Sequence, residues 1–130
     1  GYPALREMCR RMLFNLLART QDAHTRNLAF LMERRGTWSL APAFDVVWAY
    51  NSQGAWTNQH QMTVNGKRDG FERADVLAVA EQFGIRGAVD MLDEVADAVA
   101  RWPIFAKECS VEASLLRKIG ETHRTQVAGK

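Results

Sequence analysis

Cysteine, proline and long apolar runs are all scarce in this chain. The two cysteines, Cys9 and Cys109, stand far apart in apolar contexts. Neither has the nearby second cysteine that a thiolate metal site requires, and the pair reads as reduced core thiols of a cytoplasmic protein. No apolar run approaches the roughly 20 residues needed to span a bilayer, so no membrane role is expected. A surplus of one charge is missing as well. Seventeen Lys and Arg against fifteen Asp and Glu leave +2, too little to argue for nucleic acid. The short basic pairs Arg34-Arg35 and Lys67-Arg68 fit solvated turns rather than a phosphate-tracking stripe, so no direct nucleic-acid partner is expected. Internal repeats, low-complexity segments and a signal peptide are also lacking. The start at Gly-Tyr-Pro without Met leads to the expectation of a piece cut from a longer protein.

What is present is a globular composition, 47% hydrophobic and 25% charged over 130 residues, enough for one core and one domain. Leu5, Met8, Cys9, Met12, Leu13, Leu16 and Leu17 keep three-and-four spacing, which predicts an amphipathic helix near 4–18. A strand-like run from Asn27 to Glu33, a polar turn at Gly36 and a return over Thr37–Leu40 predict a hairpin. Pro42 should end its second strand, leaving Phe44 and Asp45 just beyond, close to where the first strand begins. Residues 48–70 are irregular except for a tight turn at Asn65-Gly66. Helical periodicity then resumes: Val76, Leu77, Val79, Ala80 and Phe83 up to Gly84, and Val89, Leu92, Val95, Ala96 and Val99 up to Pro103. A last helix, N-capped by Ser110, should bury Leu115, Leu116 and Ile119. Within one domain, 1–70 holds the unusual polar residues and 71–130 is helical scaffold.

Those polar residues concentrate in QDAHTRN, Gln21 to Asn27, between two apolar runs. Asp22 and Asn27 are related as D-x-x-x-x-N, the spacing of the protein-kinase catalytic loop, where the acid orients and deprotonates the substrate hydroxyl and the amide coordinates magnesium. Asp45, past the hairpin, matches the acid that chelates the metal bridging the β- and γ-phosphates. His24 stands where many kinases place a phosphate-touching Lys, and Arg26 has the reach to contact phosphate too. Each residue also has a plain structural reading: Asp22 capping a turn, Asn27 opening a strand, Asp45 N-capping a helix, His24 bonded to a carbonyl, Arg26 solvated. Small-molecule kinases of the aminoglycoside or choline type share D-x-H-x-x-N before a metal-binding Asp. A non-catalytic helical interaction module, with Trp48 and Trp56 as anchors, is the reading from a different class.

The stretch NLLARTQDAHTRNLAFLMERRGTWSLAPAFDVV resembles the catalytic segment of HipA-family serine/threonine kinases, bacterial toxins of type II toxin-antitoxin modules. D-A-H-x-x-N followed by a hairpin and L-A-P-A-F-D-V carries the resemblance, and QMTVNGKRDG is similar to the family's strand with an Asn-Gly-Lys turn. The resemblance implies a mainly α fold: a kinase-like C-terminal lobe with helices around a short catalytic β-hairpin. It implies that Asp22 is the catalytic base and that Asn27 and Asp45 hold magnesium. His24, Thr25, Arg26 and Asn27, with Phe44 and Asp45, would line the phosphates of ATP. It further implies a protein substrate of the aminoacyl-tRNA synthetase class and a DNA-binding antitoxin as partner. The family's preceding lobe supplies a phosphate-binding loop and a nucleotide-contacting Lys, and neither pattern occurs before Asp22. This chain by itself is therefore expected to be inactive, and the longer protein active.

Overall fold

The computed structural model describes residues 2–20, 29–43, 46, 48–50 and 63–129. Among them lie five α-helices and one two-stranded antiparallel sheet, so the architecture is mainly helical with a small hairpin whose strands are largely exposed, rather than helices gathered around it.

Helix α1, Tyr2–Ala18, carries Pro3 in its first turn, where the missing N–H has no intrahelical partner to lose. Its stripe buries Cys9, Leu13, Leu16 and Leu17, while Leu5 at the solvent end stays exposed. α1 packs chiefly against α3, Ala88–Ala100. That helix returns Met91, Leu92, Val95, Ala96 and Val99 at the same three-and-four spacing. Val64 and Phe71 from the middle of the chain join this cluster, as do Val76, Ala80 and Ile85 in or just after α2, Arg73–Gln82. Val127 and Ala128, in a single 3-10 turn over Thr125–Ala128, close it from the far end. Chemistry-bearing and scaffold halves of the sequence thus share one core through α1.

The hairpin pairs β1, Phe30–Met32, with β2, Trp38–Leu40, in the register Phe30↔Leu40, Leu31↔Ser39, Met32↔Trp38. Both strands are shorter than the apolar runs that announced them, and β2 stops two residues before Pro42, which has no N–H to continue a ladder. Gly36 takes φ +84° in the connecting turn, as expected for a residue without Cβ. Asn65 and Gly66, at φ +50° and +78°, form the foreseen tight turn, with Val64 and Lys67 exchanging both backbone hydrogen bonds at 2.8 and 3.0 Å.

Three helices end in the same way, on three different residues. A helix that closes with a left-handed residue at C′ lets the following N–H reach the carbonyl five positions back. α2 does so on Gly84, with the Ile85 N–H on the Ala80 carbonyl at 2.8 Å. α4, Trp102–Glu108, does so on Ser110 at φ +58°, with the Val111 N–H on the Ala106 carbonyl at 2.9 Å. α1 does so on Arg19 at φ +62°, with the Thr20 N–H on the Asn15 carbonyl at 3.1 Å.

The Ser110 closure corrects the sequence reading. Ser110 ends α4 instead of capping α5, which spans Ala113–Thr122 from Glu112. Leu115 faces solvent at 43% exposure and Leu116 is half-buried, leaving Ile119 as the buried anchor. Pro103 likewise belongs to the first turn of α4, whereas α3 has already closed at Arg101. Phe83 and Val89 are exposed although both lie on apolar-looking stripes. Cys9 is buried as expected, but Cys109, at the end of α4, is exposed; both are free thiols. No helix is long and apolar enough to cross a membrane among the described residues.

The core is sharply divided from this outer shell, so truncations should separate by site. Leu92, fully buried in the core cluster on α3, should lose about 2–5 kcal/mol on Leu92→Ala. Leu115→Ala should stay within about 0.5 kcal/mol. Urea unfolding of the two variants measures both; equal losses would contradict the assignment of α5's faces.

Candidate functional site

Every residue singled out for chemistry, Asp22, His24, Thr25, Arg26, Asn27, Phe44 and Asp45, lies outside the described residues. What the structure describes is the frame on both sides of them. Thr20 is the last described residue before QDAHTRN and Ala29 the first after it; Ala43 precedes Phe44 and Val46 follows Asp45.

Two closures hold these flanks. At the hairpin base, the Ala41 N–H donates to the Ala29 carbonyl at 2.8 Å, extending the ladder one step beyond the β1–β2 pairs. Ala41 is buried, and its own carbonyl accepts from the Arg11 guanidinium of α1 at 2.7 Å. Glu7, one turn earlier, steadies Arg11 at 3.3 Å. The second closure is a parallel bridge between Thr20 and Ala49, in which the Ala49 N–H donates to the Arg19 carbonyl at 3.1 Å. The chain leaving α1 and the chain returning after Asp45 are therefore tied side by side.

Arg19 occupies a conformation that a side chain with Cβ resists by about 1–2 kcal/mol, and its surroundings offset that resistance. Its guanidinium stacks over Tyr50 at 4.4 Å and donates to the Thr122 carbonyl at 2.9 Å. Trp48 donates its indole N–H to the Thr122 hydroxyl at 2.9 Å and meets Tyr50 edge-on. Trp48 is thus half-buried packing within the domain, and Trp56 lies outside the described residues. Burial lowers the Arg19 pKa, with Tyr50 and Asp69 opposing. His123 is also pushed down, first by burial and then by the nearby Arg19 cation.

Beyond the Asn65-Gly66 turn, Asp75 binds the turn to the start of α2. Its carboxylate accepts from the Glu72 N–H at 2.8 Å, the Asn65 amide at 3.0 Å and the Lys67 ammonium at 3.0 Å. An acid in the first helical turn also faces the positive end of the backbone dipole. These donors hold the carboxyl down at about 2, the Glu72 backbone bond contributing most. Lys67 is raised in return by the same partner, so the basic pair Lys67-Arg68 includes a charge engaged within the fold.

Among the described residues no three His, Cys, Asp or Glu side chains converge on a common point. The sequence-predicted pair Asn27 and Asp45, outside the described residues, offers an amide and a carboxylate, hard oxygen donors of the kind magnesium takes beside phosphate oxygens and water. The frame residues Arg11, Arg19, Asp75 and Thr122 were not foreseen. Asp75 alone left a trace, as an acid in the first turn of a foreseen helix; the arginine contacts fall on backbone carbonyls, which have no sequence signature.

The Asp75 cluster makes a signed prediction. Its folded-state pKa lies below the unfolded value of about 3.9, so its contribution to stability is full above pH 4 and fades as pH falls toward 2. Urea midpoints measured from pH 6 to pH 2.5 should fall less steeply below pH 4 for Asp75→Asn than for the parent sequence.

The sequence profile of the family described as HipA-like C-terminal domain matches residues 2–102. The matched span includes α1, the hairpin with its flanks, α2 and α3, and ends on the first residue of α4. No curated protein gives a significant match. With most of its length matched, the chain belongs to the HipA-like C-terminal domain family.

Proposed function

We propose that this domain is the metal- and acceptor-handling part of a serine/threonine protein kinase with a kinase-like C-terminal lobe, acting within a longer polypeptide. The observation that carries the reading is the family match over residues 2–102, which spans Asp22, Asn27 and Asp45 together. The two closures support it, because a short loop aims an acid and an amide only if its ends are fixed.

In this reading Asp22 holds a Ser or Thr hydroxyl in line and accepts its proton as the oxygen attacks the γ-phosphorus of ATP, while the bond from that phosphorus to the β–γ bridging oxygen breaks and ADP leaves. Asn27 and Asp45 would hold a magnesium ion, which when bound would supply neutralisation of charge on the phosphate oxygens. His24 and Arg26 donate hydrogen bonds to phosphate oxygens, with Thr25 and Phe44 completing the lining. The acceptor belongs to the aminoacyl-tRNA synthetase class and a DNA-binding antitoxin restrains the kinase, both on the strength of family membership. The setting is cytoplasmic.

In the full-length protein, Asp22→Asn should reduce transfer of the γ-phosphoryl group to a protein acceptor by about 10²–10⁴-fold, with the Kd for magnesium-ATP little changed. Asp45→Ala should weaken magnesium-dependent nucleotide binding itself. Radiolabel transfer and calorimetric titration measure the two. Full transfer by the Asp22 variant would remove Asp22 from the base role, and transfer to aminoglycosides or choline in place of protein would favour a small-molecule kinase.

A further inference from the structure

The last turn of α1 leaves carbonyls that no helical N–H can reach. One residue takes two of them. The Arg124 backbone N–H donates to the Leu17 carbonyl at 2.7 Å, and its guanidinium donates to the Leu16 carbonyl at 3.0 Å. The same guanidinium bonds Asp69 at 3.0 Å and lies over the Phe71 ring at 5.0 Å. Arg124 is 2% exposed, so a cation has been taken out of water to sit on the negative end of α1. Burial, with Arg19 nearby, pulls its pKa down to about 10, which leaves it charged at neutral pH.

This placement sits directly behind the closure at Arg19 and Thr20. Thr122, two residues before Arg124, receives Arg19 and Trp48. Residues 122–124 therefore hold both the last turn of α1 and the residue in left-handed conformation that follows it. They lie beyond the span matched by the family profile, which ends at 102, so the profile does not assign them a role.

We propose that Arg124 is a positioning residue for the QDAHTRN segment: by capping the final carbonyls of α1 it fixes the closure at Arg19 and Thr20, the residues that immediately precede that segment. Its catalytic consequence rests on the phosphotransfer reading given above, whereas its structural half stands without it. A lysine at 124 keeps the charge but not the forked donors that serve Leu16 and Asp69 at once.

The test uses Arg124→Lys and, as a variant that spares the buried position, Asp69→Ala; the Asp69 side chain is half exposed. Amide hydrogen exchange is followed at Thr20, whose N–H closes α1 on the Asn15 carbonyl, and at Ala49, whose N–H bonds the Arg19 carbonyl, with Val95 in α3 as internal reference. In the full-length protein, Arg124→Lys should speed exchange at Thr20 and Ala49 by about tenfold while Val95 keeps its rate. It should also lower kcat by about tenfold or more with the KM for ATP changed less than about twofold. Asp69→Ala should give the same pattern in smaller measure, and decides the matter if Arg124→Lys does not fold. Unchanged exchange at Thr20 and Ala49 overturns the inference, as does a rise in KM at constant kcat. A wild-type protein without Asp22-dependent transfer overturns the kinase reading instead, and exchange then decides the structural half alone.

Discussion

The left-handed turn at Arg19 is the constraint around which the rest of the first half is arranged. α2 makes the same closure with Gly84, at no steric penalty. α1 makes it with arginine, which is disfavoured unless the side chain gains something in that position. Here the guanidinium gains the Tyr50 face and the Thr122 carbonyl, and the backbone carbonyl gains the Ala49 N–H. A glycine would close the helix equally well but would lose two of those three ties. The residue thus converts a helix end into a junction where the segment after the helix, the segment after the hairpin and the C-terminal helix all meet.

The same chemical device recurs across the domain. Arg11 reaches the Ala41 carbonyl, Arg19 that of Thr122, Arg73 that of Ala128 and Arg124 that of Leu16. Arginine to backbone carbonyl is a charge-assisted bond that needs no acidic partner, and it keeps its charge when partly buried. It joins elements that apolar packing alone leaves free to slide. The core under α1 and α3 supplies the cohesion, and the arginines supply the register. That division would matter for the proposed phosphoryl transfer, where a displacement of about 1 Å at the reacting groups costs far more in rate than in stability.

Much of the architecture was legible because it rests on local rules. The α1 stripe, the hairpin turn at Gly36, the Asn65-Gly66 turn and the Gly84 stop each follow from spacing or from residues suited to positive φ. Ser110 misled because serine favours N-caps, while here it tolerates the left-handed position at the end of α4 and the true helix start comes at Glu112. Pro103 misled because proline ends one helix and starts another with equal ease. The acid and amide of the candidate site were visible as a spaced motif, and they lie outside the described residues. The frame was invisible, since Arg124 meets α1 across a sequence separation of 108 and its acceptor is a carbonyl that any residue would supply.

The ends are fixed at Thr20, Ala29, Ala41 and Ala49, and in the proposed function they serve a metal–phosphate site made by Asn27 and Asp45. Paramagnetic broadening measures this directly in the full-length protein loaded with manganese in place of magnesium and a non-hydrolysable ATP analogue. The Asn27 side-chain amide and the Asp45 backbone amide should broaden beyond detection, Thr20 and Ala49 should broaden partially, and Val111 in the turn after α4 should remain sharp. Sharp signals at Asn27 and Asp45 with nucleotide bound would contradict it.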